Sequence, residues 1–138
     1  MTNSRNKGKR GELELARVLR FYGYDSHRGQ QFHGGPDSPD VLGLPGIHIE
    51  CKRVEKLNLY DALSQSKADS GEGDIPVVMH RKNRSKWLVT MDLNDWINIY
   101  REWEAGRKPE KKSSGPFDLY EEYQEAFEGI TERRNKNG

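Results

Sequence analysis

The chain has 138 residues and a mass of 16.0 kDa, which suits one compact domain and would leave two independent cores each marginally small. Hydrophobic residues make up 33% and mean hydropathy is −1.02, so part of the chain stays outside any core, and no apolar run approaches the ~18 residues of a membrane span. Lys and Arg (23) balance Asp and Glu (22) to a formal +1, so total charge names no partner. The lone Cys51 excludes a disulfide framework and a multi-cysteine zinc site, and the four scattered histidines show no ligand spacing.

The first ten residues hold Arg5, Lys7, Lys9 and Arg10 with no acid and lack the apolar segment of a secretory signal, which predicts a cytoplasmic protein. GELELARVLRFYG, ending at Gly23, places Leu15, Val18, Leu19 and Tyr22 at helical spacing. Residues 24–38 hold three glycines and a proline and read as a loop. PDVLGLPGIHIECKRV then gives two apolar segments around Leu44-Pro45-Gly46, a strand hairpin. Asn58 caps a second helix, LYDALSQSKADSG. IPVVMHRK and KWLVTMD form a second hairpin around Asn83-Arg84-Ser85. Asp92 precedes a third helix, LNDWINIYREWE, with Trp96, Ile99, Tyr100 and Trp103 at helical spacing. The order α, β, β, α, β, β, α predicts an α/β domain over residues 1–104, a mixed central sheet flanked by helices. A Gly, Ser, Pro and Lys-rich linker spans 105–116. The tail, 117–138, reads as an amphipathic acidic helix with a seam of Tyr120, Tyr123, Phe127 and Ile130. That seam has three readings: packing on the chain's own body, a dimer contact, or a carrier of acids that compete with an anionic ligand for a basic surface.

Strand alternation in IHIECK puts His48, Glu50 and Lys52 on one face and Ile47, Ile49 and Cys51 on the other. The apolar set should face the core, leaving the carboxylate and the ammonium opposite. Asp40 starts the preceding strand, and the hairpin brings it alongside Glu50. Two converging carboxylates make a hard-oxygen site suited to Mg²⁺ or Mn²⁺, with Lys52 available to orient or help deprotonate a water. On the first helix Glu12 lies roughly 60° from the centre of the apolar stripe and Glu14 roughly 100° on the other side. Glu12 is therefore the more inward acid, and a metal or Lys52 would be its partner.

The pattern G-x-x-x-E from Gly8 to Glu12, Pro39-Asp40, and Glu50-Cys51-Lys52 resembles the PD-(D/E)xK nuclease superfamily, with its restriction-endonuclease-like core. Within it the nearest likeness is to phage and archaeal Holliday-junction resolvases. RGQQFHGG, Gln65 and the HRK and WLVTM strands extend the resemblance over about residues 7–104, with the tail outside it. It implies a Mg²⁺-dependent endonuclease, often a homodimer, that cuts branched or duplex DNA, with Mn²⁺ able to substitute. Residue by residue it implies Asp40 and Glu50 as metal carboxylates and the Cys51 backbone carbonyl as a further ligand. It also implies Lys52 as the catalytic lysine and Glu12 as the helix-borne acid. Asp37 is left between loop residue and substrate contact, and Gln65 between a contact to DNA or the lysine and plain exposure.

The Cys51 thiol reads as a small buried apolar group, because parity turns it from Lys52, and His48 reads as a neighbour of the site. Two basic stretches suit DNA phosphates: Arg5, Lys7, Lys9 and Arg10, and then Arg81, Lys82, Arg84 and Lys86 around the second hairpin turn. Arg28 and its Gly-rich loop suit close approach to a strand. The expected function is a structure-selective endonuclease that uses metal-activated water on branched or four-way-junction DNA, away from membranes. Its rivals are a general duplex endonuclease or nickase of the same fold, and a non-catalytic DNA-binding protein.

Overall fold

The computed structural model describes residues 4–29 and 38–107, with side chains from Gly8 onward. Of the two units into which the chain divides, Met1–Ala105 and Gly106–Gly138, the first carries all the secondary structure described below. The linker and the tail seam lie outside the described residues, apart from Ala105, Gly106 and Arg107.

The first helix, α1, runs from Ser4 to Phe21, so the basic run to Arg10 is helical rather than a separate arm. Its residues are acceptable helix formers without apolar periodicity, which is why the amphipathic signal starts only at Leu15. It ends at Gly23, whose φ of 98° is the left-handed conformation that the sequence predicts there. The loop expected over 24–38 contains a two-residue strand, β1 (His27–Arg28), which pairs antiparallel with β2 (Val41–Leu42). Then come β3 (Ile47–Arg53), α2 (Leu59–Asp69), β4 (Ile75–Arg81), β5 (Leu88–Thr90) and α3 (Leu93–Ala105). Asn58 caps α2 by accepting from Asp61 N at 3.2 Å.

The sheet is mixed, in the order β1-β2-β3-β4-β5, with antiparallel hairpins on either side of a parallel β3–β4 pair. Parallel neighbours need a crossover, and α2 provides it. The crossover also decides what lies over the second face of the sheet. His48, Glu50 and Lys52 do face away from Ile49 and Cys51, but that second face is covered: His48 is 2% and Glu50 8% exposed. The cover is α2, packed through Ala62 and Leu63 on Val78, while α1 packs Leu15 and Ala16 on Val41, Ile49, Cys51, Val77 and Met79. Ser66 lets α2 sit close, its Oγ donating to Val77 O at 2.9 Å. Burial pushes the His48 pKa down, so its ring is neutral, and its Nε2 has no partner among the described residues.

The third helix differs in kind. None of its residues is buried, and Trp96, Ile99, Tyr100 and Trp103 form an exposed row in which the Trp96 and Tyr100 rings stack at 5.4 Å. Lys67 Nζ meets Asp92 Oδ2 at 2.8 Å, which ties α2 to the residue before α3. No helix among the described residues is long and apolar enough to cross a membrane.

Candidate active site

A short strand beside a long one creates the site. β2 pairs with β3 only at Val41↔Ile49, and β3 continues to Arg53 with no strand on that side among the described residues. Asp40 sits where the pairing stops. Its N–H donates to Ile49 O at 2.9 Å, its carbonyl accepts from Gly29 N at 2.9 Å, and its Oδ2 accepts from Cys51 N at 2.9 Å. The side chain thus takes the ladder position that a longer β2 would fill. Ile49 O points to this open side. The residue two further along a strand has the same parity, so the Cys51 carbonyl faces the notch too.

Around the notch lies a cleft of about 340 Å³ lined by Glu12, Asp40, Glu50, Cys51, Lys52 and Arg53, with Gly8 at its rim. Three elements meet there: Asp40 opens β2, Glu50 and Lys52 come from β3, and Glu12 comes from α1. Asp40 and Glu50 are close enough to share a hydrogen bond. Lys52 Nζ stands 3.6 Å from Glu50 Oε1, with the lysine side chain 38% exposed and the glutamate 10%. Burial raises the Asp40 pKa. Glu50 is pushed up to about 7, by burial first and by repulsion from Asp40 second, and Lys52 only partly offsets this. Ionising both carboxyls in this buried cleft is therefore costly, and a cation from outside would offset that cost.

Glu12 is also raised by burial, against the pull of its partner. That partner is Arg28, whose Nε is hydrogen-bonded to Glu12 Oε2, and the Lys52 charge adds a weaker pull. Arg28, expected to face DNA, is thus tied to a residue of the cleft while its side chain stays 37% exposed. Gln65 is exposed and donates to Asp69 Oδ2 at 2.7 Å. Asp69, which sequence reasoning passes over, adds to the field that raises Asp40 and Glu50. The Cys51 thiol is buried and its pKa strongly raised, first by burial, so it is an inert apolar group as expected.

Of the residues expected to hold phosphates, Lys9 and Arg10 are exposed on α1, and Lys82, Arg84 and Lys86 are exposed at the β4–β5 turn. Arg81 is turned inward: its Nη1 meets Glu14 Oε1 at 2.6 Å and its Nε donates to Ser85 O at 2.6 Å. Arg5 and Lys7 belong to α1, but their side chains lie outside the described residues, as does Asp37. Glu14 also binds Arg53, Oε2 to Nε at 3.2 Å. That pair was findable, since Arg53 has the parity of Cys51 and so faces α1.

Donor chemistry gives a direct test of fit for a metal. Among the described residues no three His, Cys, Asp or Glu side chains form an ion cage. The donors at hand are two carboxylates and a carbonyl, all hard oxygens, so an ion here would complete its shell with water or phosphate oxygens. That is the habit of Mg²⁺ and Mn²⁺ rather than of structural zinc.

The family described as "Phage putative PDDEXK endonuclease" matches residues 3–132. No curated protein matches the chain. Among solved structures the chain is similar to the Holliday junction resolvase Hjc of the archaeal hyperthermophile Archaeoglobus fulgidus. The likeness is at 27% identity, covers 62% of this chain and 72% of that one, and has a TM-score of 0.46.

Proposed function

Because the chain belongs to the phage PDDEXK endonuclease family, we propose that it is a metal-dependent endonuclease that hydrolyses phosphodiester bonds in branched DNA, four-way junctions above all. The observation that carries the catalytic part is the convergence of Asp40 and Glu50, both with raised pKa, in a cleft open beside Lys52. Nucleases of this superfamily generally use divalent metals. Asp40, Glu50 and the Cys51 carbonyl would hold Mg²⁺, with Mn²⁺ able to replace it. When bound, such an ion acidifies a water and offsets charge on the phosphate.

The chain's own residues do the rest. The Cys51 N–H fixes the Asp40 carboxylate, so one donor is oriented before any ion arrives. Lys52 is exposed enough to reach substrate and is anchored to Glu50. Its ammonium orients the attacking water and stabilises the negative charge that develops on the phosphate oxygens. Glu12, held by Arg28, is the helix-borne acid beside Asp40. Lys9 and Arg10 on one flank, and Lys82, Arg84 and Lys86 on the other, contribute attraction for the DNA backbone independent of sequence.

Junction preference rests on the motif resemblance to resolvases. A homodimer fits it, since two equivalent strands need two symmetric sites. The reading places the protein in the cytoplasm with DNA as partner. The test compares four-way junction, flap, nicked and linear duplex with Mg²⁺, Mn²⁺, Ca²⁺ and EDTA, with light scattering on the free protein at micromolar concentration. Expected results are a dimer mass and junction cleavage with Mg²⁺ or Mn²⁺ only, lost in Asp40→Asn together with metal binding. Equal cleavage of linear duplex by a monomer would assign a general endonuclease. Binding without cleavage under any metal would assign a DNA-binding protein.

A further inference from the structure

We propose that Arg53 is a DNA ligand, seating the phosphate next to the one cleaved, and that Glu14 is the positioning residue that aims it; this rests on the endonuclease reading above. Arg53 follows Lys52 on β3 and lines two adjoining clefts. One is the carboxylate cleft, and the other, of about 230 Å³, is bounded by Arg10, Gly11, Glu14, Glu55 and Asn83. A guanidinium shared by both walls stands where a strand leaving the site would pass.

The side chain is set in place before any ligand arrives. Its Nε donates to Glu14, and among the described residues its two Nη atoms have no hydrogen bond, so the paired edge that grips phosphate in two-point fashion is available. Its stem is clamped as well. A Cβ on Gly11 would lie 2.5 Å from Arg53 Cβ, so only glycine lets α1 press this closely on β3, and the arginine side chain is 20% exposed. Glu14 in turn cannot swing away, because its other oxygen holds Arg81. Arg81 is the register partner of Arg53 on β4 and is anchored at Ser85 O. One carboxylate between two adjacent guanidiniums leaves a net positive seat on a frame of α1, β3 and β4. Much of the ordering cost of gripping phosphate is thus already met in the free protein.

The experiment measures affinity for a fluorescein-labelled four-way junction and linear duplex in EDTA across a salt series, alongside cleavage by the wild type with Mg²⁺ or Mn²⁺. Arg53→Gln should weaken binding about tenfold, and the slope of log K against log salt should fall by about 0.9, one phosphate contact. Arg53→Lys should restore the slope while recovering only part of the affinity. Glu14→Ala removes an acid, which by charge alone would tighten binding. It should instead weaken binding several-fold, and should do nothing further in the Arg53→Gln background. An unchanged slope in Arg53→Gln, or tighter binding in Glu14→Ala, overturns the proposal. A wild type that binds DNA but cleaves none overturns the endonuclease reading and leaves the seat standing. A wild type that binds no DNA overturns both.

Discussion

Glu50→Gln should abolish cleavage and at the same time stabilise the metal-free protein. The residue is 8% exposed and its carboxyl pKa is raised from 4.5 to about 7, by burial and then by Asp40. A raised pKa means that the folded chain holds the proton more tightly than the unfolded one. This contribution to stability is complete below pH 4.5 and is lost as pH rises through about 7. At about 1.4 kcal/mol per pKa unit the full cost of carrying the charge is about 3 kcal/mol. Part of it is a repulsion shared with Asp40, so removing Glu50 should recover about 1–3 kcal/mol at pH 8. For a domain of this size that raises Tm by roughly 4–12 °C. The assay is thermal unfolding followed by circular dichroism, wild type against variant, in EDTA at pH 5 and pH 8. The variant should melt higher at pH 8, with the gap narrowing toward pH 5. Saturating Mg²⁺ should then raise the wild type and leave the variant unmoved. A variant that melts at or below the wild type at pH 8 would refute the claim that burial and Asp40 make the Glu50 charge costly.

Gly11→Ala should lower stability by about 1–3 kcal/mol in urea unfolding, the overpacking against Arg53 exceeding the ~1 kcal/mol gain in helix propensity. Single-turnover cleavage should fall with it, because α1 carries Glu12. Wild-type stability would show that the contact yields freely. Arg28→Ala should slow single-turnover cleavage in the wild type but scarcely in a Glu12→Gln background; equal slowing in both would mean that Arg28 acts on DNA rather than through Glu12. Lys52→Ala should keep junction affinity in EDTA and lose most of the cleavage rate, since its charge acts on the developing transition state. Near-normal cleavage would reduce Lys52 to a strand residue.

The site was legible to the extent that strand parity and hairpin topology determine it. Asp40, Glu50 and Lys52 converge because Leu44-Pro45-Gly46 folds β2 back on β3, and both the apolar pattern and the turn residues announce that. What the sequence hid came from elements without a local signature. β1 is two residues long and exists only because β2 offers it hydrogen bonds, so His27 and Arg28 read as loop, and with them went the partner of Glu12. Covering of the Glu50 face also escaped. Alternation tells which residues share a face but not whether a helix lies over it, and only the parallel β3–β4 pairing requires α2 to cross there. Likewise the Glu14–Arg53–Arg81 cluster joins positions far apart in the chain, and each taken alone is an ordinary surface charge.

The edge of β3 past Ile49, which no strand pairs among the described residues, also bears on how the protein behaves in solution. Unpaired strand edges recruit strands from other molecules, and this one is kept from doing so by the groups that form the cleft. The Asp40 carboxylate occupies the Cys51 N–H, and the charges of Glu50, Lys52 and Arg53 lie alongside. Removing the Asp40 side chain exposes an amide donor besides taking a carboxylate from the cleft. Asp40→Asn, whose Oδ1 can still accept that bond, is therefore the variant in which to test Asp40 for metal binding and cleavage, whereas Asp40→Ala should accumulate soluble aggregates at high concentration, visible by size exclusion, for reasons unrelated to metal or DNA.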